Sequence, residues 1–338
     1  MVSEDQLVER VRRRFVSTHV RAIPGARLID GGLRVGIGDD AAVLRPRAGT
    51  DWVVTTDSFL ENVHFLRKTH PPGAVGYKAL ARATSDIAAM GARPRSFFLA
   101  LGLPATCAGS WLDAFLDGMA GAARRFGLIL AGGDTSKYPL VVASLTVLGE
   151  IKRGRAILRS GARPGDLLCV SGRLGQAELG LQLIQKKLHK QKGSARLLKK
   201  HFYPEPRLVL GEWLATHRCA TSMIDTSDGL STDLGHICRA SGVGAIVWAS
   251  KIPMARIPEE LQRLGLDPLD LALNGGEDYE LLFTVPKKLS DRLPRKVADV
   301  SLSIIGEITR EKTVILLGPD RRSTPLRQKG WDPFRKKG

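Results

Sequence analysis

The sequence has no G-x-x-x-x-G-K-[ST] element, which excludes a P-loop nucleotide site. It has no G-x-G-x-x-G loop coupled to a strand lysine and an H-R-D segment, which excludes a protein-kinase catalytic core. Cysteine is scarce. Cys107, Cys169, Cys219 and Cys238 form no C-x-x-C pair and no metal-ligand spacing, so reduced, mostly buried thiols are expected rather than a disulfide or a zinc site. No run approaches the roughly 20 consecutive apolar residues of a membrane-spanning helix. The opening Met1-Val2-Ser3-Glu4-Asp5-Gln6 lacks the basic-then-apolar layout of a secretory signal, and a cytoplasmic location is expected. There is no repeat of fixed short period and no low-complexity segment.

What is present is a chain of 338 residues, long enough for two ordinary domains with sizeable cores. Its formal net charge is +17. That excess suits attraction of polyanionic small substrates, and it also fits basic residues on solvated faces. The basic runs at 12–14, 186–187, 199–200, 321–322 and 335–337 are spread out, and no aromatic residues interleave with them as a single-strand stacking platform requires. Nucleic acid is therefore not the expected partner.

Hydrophobic periodicity outlines the elements. Helices are expected over 4–16, 72–90, 111–126 and 175–188. Strand-like runs occupy 33–44, 52–65, 95–103, 140–151, 167–170, 222–225, 244–249, 280–285, 304–308 and 313–317. The segment 185–200 is basic and polar and reads as an exposed helix end and loop. A Gly-, Arg- and Pro-rich stretch at 152–165 suggests a boundary, giving domains of 1–150 and 151–338. Helices and strands intermix in both halves, so the class is α/β or mixed α+β.

The informative pattern is acidic residues beside small ones at the ends of apolar runs. Five clusters show it: Gly36-Ile37-Gly38-Asp39-Asp40-Ala41-Ala42, Thr55-Thr56-Asp57-Ser58, Thr84-Ser85-Asp86-Ile87, Gly132-Gly133-Asp134-Thr135-Ser136 and Asp225-Thr226-Ser227-Asp228-Gly229-Leu230. Carboxylates and hydroxyls are the oxygen ligands that a hard cation such as Mg²⁺ takes. Glycine lets backbone N–H groups approach phosphate oxygens. Each cluster taken alone has a plainer reading as a helix cap or a turn. Adjacent carboxylates at Asp39 and Asp40 repel unless a cation compensates. Asp86 lies inside an amphipathic helix among small residues, where it could face water or a cleft. A sixth cluster, Asn274-Gly275-Gly276-Glu277-Asp278-Tyr279-Glu280, reads as a glycine turn followed by acids and a strand. His64 is a lone His in a strand-like run, and such a residue is more often a structural hydrogen-bonder than a ligand.

Taken together and in this order, with Val63-His64-Phe65, Arg159-Ser160-Gly161-Ala162-Arg163-Pro164-Gly165-Asp166 and Gly330-Trp331-Asp332-Pro333-Phe334, these motifs resemble the thiamine-monophosphate kinase family. That family resembles aminoimidazole ribonucleotide synthetase, selenophosphate synthetase and the hydrogenase-maturation dehydratase. The resemblance implies a two-domain aminoimidazole ribonucleotide synthetase-like fold. The N-terminal domains would pair in a homodimer, the C-terminal α/β domain would be larger, and ATP would lie in a cleft. It implies that Asp39, Thr56, Asp57, Asp86, Asp134, Asp225 and Asp228 bind Mg²⁺, with Asp40 and Thr55 close by. Gly133, Asp134, Arg159 and Ser227 would contact ATP, and His64, Glu277 and Trp331 the thiamine phosphate. The expected reaction is ATP-dependent phosphorylation of thiamine monophosphate by in-line transfer assisted by several Mg²⁺ ions, with no general base.

Two alternatives are separable. Another member of the superfamily would use ATP on a different acceptor. The first hundred residues hold no Cys for a selenophosphate synthetase, and the C-terminus holds none to modify as in the dehydratase. A basic nucleic-acid-binding protein on a degenerate enzyme fold would be expected to have lost the acidic clusters, and all are present.

Overall fold

The computed structural model describes residues 4–15, 33–35, 42–188 and 194–331. The chain forms two compact units, one of residues up to Ile87 with Ala92–Gly154, the other of Ala88–Gly91 with Arg155 onward. Asp39 and Asp40 lie outside the described residues, as do 36–41 generally.

The first unit contains α1 (Glu4–Phe15), β1 (Leu33–Val35), β2 (Val43–Leu44), β3 (Thr50–Leu60), α2 (Pro72–Ala89), β4 (Arg93–Leu103), α3 (Ser110–Phe126), β5 (Ile129–Lys137) and β6 (Val142–Lys152). The last four strands form a sheet in the order β3-β6-β4-β5. Strands β4 and β5 are parallel and joined through α3, the crossover that a parallel pair requires. One face of the sheet is apolar, with Phe59, Phe97, Leu99, Leu101, Leu145 and Val147 all buried. Leu80, Ala83 and Ile87 of α2, and Phe115, Leu116 and Met119 of α3, are buried with them at helical spacing.

The second unit contains β7 (Asp166–Ser171), α4 (Gln176–Gln185), α5 (Ser194–Phe202), α6 (Leu208–His217), β8 (Ser222–Asp225), α7 (Leu230–Ser241), β9 (Gly244–Trp248), α8 (Pro268–Asn274), β10 (Leu281–Pro286), β11 (Lys296–Val297), β12 (Val300–Thr309), β13 (Val314–Leu317) and β14 (Ser323–Pro325). Its sheet runs β14-β13-β9-β12-β7-β10-β8, with β11 paired to β12. Every position of β7 is buried, which explains its unbroken apolar reading. Leu168, Val170, Leu230, Leu234, Ile237, Val247 and Leu282 share the core beneath α7.

The mixed α/β class stands. Three local expectations are revised. The run at 52–65 is a strand only to Leu60: Asn62 takes φ 68 and turns the chain, a conformation Asn tolerates. The run at 33–44 is described as two short strands at its ends. The segment 185–200 is not simply exposed. Its end is part of α5, where Leu198 and His201 are buried. Helices α5, α6 and α8 carry no signal that the periodicity singled out.

Candidate functional site

In the first unit Asp57 and Asp86 both sit where α2 lies against β3. Alternation along β3 sends Thr55, Asp57 and Phe59 to one face, while Val54, Thr56 and Ser58 are exposed on the other. Along α2, Arg82 and Asp86 are one turn apart and therefore share a face. The two spacings match: four residues of helix advance about 6 Å, and two of strand about 6.6 Å. Thr55 Oγ1 accordingly donates to Asp86 Oδ2 at 2.5 Å. Arg82 donates from Nε and Nη2 to the two carboxylate oxygens of Asp57, each at 3.3 Å. Its guanidinium lies 5.3 Å from the centre of the Phe59 ring.

Thr56 is not brought to this group. It faces the opposite side of the sheet, with its Oγ1 3.0 Å from Thr146 Oγ1 on β6. Gly133 and Asp134 sit on β5, three strands from β3, or about 14 Å along the sheet. A Cβ on Gly133 would lie 2.0 Å from the Leu99 carbonyl oxygen, so close strand approach already requires glycine there. Asp134 is exposed and accepts from Ser136 Oγ at 3.4 Å. His64 lies in the turn after β3. Its Nδ1 accepts from Leu60 N–H at 3.0 Å and its ring stacks on Phe59, which leaves Nε2 as the protonated nitrogen of the neutral ring.

In the second unit three loops converge. The first runs from Asp225, at the end of β8, to Gly229 before α7. The second is residues 275–280, between α8 and β10. The third is the chain after β14. Glu277 N–H donates to Ser227 O at 2.8 Å, Tyr279 N–H to Thr226 O at 2.9 Å, and Trp331 N–H to Asp228 O at 3.0 Å. Gly330 is held so closely that a Cβ would lie 1.9 Å from Asp228 O. Ser227, Asp228, Glu277 and Trp331 are thus gathered in one place, with Trp331 43% exposed. Arg159 is not part of this junction: its carbonyl accepts from Ser241 Oγ at the far end of α7.

A third carboxylate, Asp233, reaches back from the first turn of α7 and accepts from Asp228 N–H at 3.2 Å. Burial, then the charges of Asp225 and Asp228, push its pKa well above the ordinary carboxylate range. Such crowding of acids, with oxygen donors only, fits a hard cation such as Mg²⁺. Among the described residues, however, no three His, Cys, Asp or Glu side chains converge in a metal-binding arrangement.

The AIR synthase related protein N-terminal domain model matches residues 38–151, and the corresponding C-terminal domain model matches 163–318. The thiamine-monophosphate kinase of Bacillus subtilis (strain 168) is 37% identical over 309 residues, covering 89% of this chain and 94% of that protein. The chain belongs to the thiamine-monophosphate kinase family. The crystal structure of the thiamine-monophosphate kinase from Stenotrophomonas maltophilia K279a superposes with a TM-score of 0.78 at 38% identity, covering 92% of this chain and 95% of that one. AaThiL complexed with AMPPCP and TMP superposes with a TM-score of 0.75 at 29% identity, covering 98% and 97%.

For this family member, sequence reasoning passed over Arg82, Asp233 and a buried charge cluster around Glu280. Glu280 has no exposed surface. It accepts from Ser171 Oγ at 2.6 Å, Lys200 Nζ at 2.9 Å, and Arg207 Nε at 2.6 Å, with a second, shorter bond from Arg207 Nη2. Burial alone would raise its pKa, but Lys200 and Arg207 bring it down to about 2. Its neighbour Asp278 accepts from the backbone N–H groups of Gly175 and Ala177 at the start of α4. Burial pushes Asp278 up to about 7, against the pull of Lys200 and those N–H groups.

A folded-state pKa raised above its ordinary 3.8 means that the folded form binds more protons between those values, so Asp278 lowers stability as pH rises from about 4 to 7. Asp278→Asn cannot ionise. Unfolding curves of the two proteins are therefore expected to diverge across that range, with the variant gaining on the parent toward neutrality. A constant difference would show that Asp278 is already ionised at pH 4.

Proposed function

We propose that this kinase transfers the terminal phosphoryl group of ATP to thiamine monophosphate, giving thiamine diphosphate and ADP. One structural observation carries the reading. Trp331 N–H donates to Asp228 O beside the Ser227–Glu277 contact, so the residues assigned to acceptor, nucleotide and metal meet at one junction. The AaThiL structure with AMPPCP and TMP, alike over nearly the whole of both chains, supports the same pair of substrates.

Glu277 and the exposed face of Trp331 would hold the cationic thiazolium ring, the one by charge and the other by stacking. His64 would present Nε2–H to an acceptor oxygen. Gly133, Asp134, Ser227 and Arg159 would contact ATP, Arg159 through a guanidinium suited to phosphate. Asp39, Asp40, Thr55, Thr56, Asp57, Asp86, Asp134, Asp225 and Asp228 would hold Mg²⁺. When bound, these ions supply neutralisation of the two phosphates and their alignment for in-line transfer. The second pKa of a phosphate monoester is about 6, so the acceptor is largely dianionic at neutral pH and needs no general base. Arg82 balances Asp57 and orients it.

The proposal includes a cytoplasmic homodimer paired through the first unit. The sheet face opposite its helices exposes Val54 (58%), which supports such pairing, and no described helix is long and apolar enough to cross a membrane.

The test is ADP release by the purified protein with ATP and Mg²⁺, with and without thiamine monophosphate. Release that requires the acceptor and stops on chelation of the metal is expected. ATP turnover indifferent to thiamine monophosphate would assign a different acceptor. A salt-sensitive gel shift without ATP turnover would favour nucleic-acid binding.

A further inference from the structure

The loop that carries Glu277 is held in an unusual backbone. Glu277 has φ 66 and Tyr279 φ 50, two left-handed non-glycine residues separated by one position. Side chains in this region are disfavoured, and such residues persist only where their surroundings over-determine them. Here the surroundings are identifiable. Backbone bonds tie Glu277 to Ser227 O and Tyr279 to Thr226 O, and Glu280 N–H donates to Thr226 Oγ1 at 3.1 Å. The two buried acids that alternate with the left-handed residues act as anchors. Asp278 is fixed on the start of α4, and Glu280 on Ser171, Lys200 and Arg207.

Helix α5 supplies a second grip. Lys200 binds Glu280, and the adjacent His201, 1% exposed, places Nδ1 3.6 Å from Glu277 Oε2. Consecutive helical residues point about 100° apart, so one turn of α5 reaches both ends of the loop. Of the acids in this loop, Asp278 and Glu280 are buried, while the Glu277 side chain keeps 23% of its surface. An ion cluster built on a fully buried carboxylate is a weak stabiliser, because apolar residues of similar volume commonly do as well. Its better-attested use is to specify one geometry.

We infer that Glu280, with Lys200 and Arg207, is a positioning device that fixes the Glu277 carboxylate for binding of the acceptor's cationic ring. The inference rests on the proposed role of Glu277. It gives the basic segment 185–200 a function that no motif assigned: its last lysine, Lys200 in α5, is part of the acceptor site's scaffold. The device acts on the acceptor, not on ATP.

The test uses the full chain and initial rates with thiamine monophosphate and ATP varied separately. Glu280→Gln keeps the shape and the Ser171 contact but removes the charge. It is expected to raise the KM for thiamine monophosphate about tenfold or more, as loss of a supporting residue does elsewhere, while the KM for ATP stays unchanged. The double variant Glu277→Ala/Glu280→Gln is expected to be no worse than Glu277→Ala alone, because Glu280 acts through Glu277. Should Glu280→Gln fail to fold, Lys200→Met, which leaves Arg207 on Glu280, decides by the same criterion. If Glu277→Ala raises the acceptor KM while a folded Glu280→Gln leaves it untouched, or moves both KM values alike, the inference is overturned. If Glu277→Ala itself changes nothing, the assignment of Glu277 fails, and the inference with it.

Discussion

Asp86→Ala is expected to lower turnover by about 10²–10³-fold, roughly 3–4 kcal/mol at the transition state, while the protein still unfolds cooperatively. The size follows from what the carboxylate would do. Two anionic phosphates must approach one another, and each oxygen ligand that helps neutralise them acts mainly on the barrier. The stability cost is smaller. Asp86 is half-buried on α2 and accepts from Thr55 Oγ1, a bond worth about 1 kcal/mol net. Denaturant unfolding of Asp86→Ala reads that smaller cost directly, and a stability loss of about this size beside a far larger loss of turnover separates the chemistry from the packing. Turnover near the parent's for Asp86→Ala at saturating Mg²⁺ would remove Asp86 from the metal-binding set.

Arg207→Met is expected to cost about 3–5 kcal/mol of stability at neutral pH, because it strips one cation from a carboxylate that water cannot reach. Lys200 remains at 2.9 Å, which places the loss toward the lower end. The deficit depends on pH with a definite sign. Glu280 is held at about 2, below its ordinary 4.5, by Lys200 and Arg207 working against burial. A depressed carboxylate contributes stability that is fully present above about 4.5 and is lost as pH falls toward 2. Denaturant unfolding should therefore show a large gap between parent and variant at pH 7 and a narrower one at pH 3. Equal gaps would mean that Arg207 contributes packing and not charge. Glu280→Gln is milder by the same reasoning, since it leaves two cations whose side chains keep 14% and 18% of their surface.

Much of the fold is legible because burial imposes periods on the sequence. The apolar residues of α3, from Trp111 to Phe126, recur at helical spacing, and β7 reads as an unbroken apolar run because it is covered on both faces. Ser227, Asp228, Glu277 and Trp331 each lie in a motif that stands out in the sequence, although their meeting does not. What the sequence conceals is pairing at long range. Lys200 and Arg207 look like surface charges until the loop before β10 brings Glu280, 80 and 73 positions away, between them. Arg82 is one basic residue on a helix, and nothing nearby shows that Asp57 lies across from it. The motif Thr55-Thr56-Asp57 reads as a single cluster, yet strand alternation splits it across two faces. That split was readable from the period of two, and the turn at Asn62 from its residue type. The left-handed backbone at Glu277 and Tyr279 was not, since neither residue type favours it.

The most direct test of the account follows the phosphoryl group itself. ATP labelled in its terminal phosphate, Mg²⁺ and thiamine monophosphate are incubated with the protein, and the products are separated. Label is expected to pass to thiamine diphosphate in step with ADP formation. Label recovered as inorganic phosphate, with thiamine monophosphate unchanged, would contradict it.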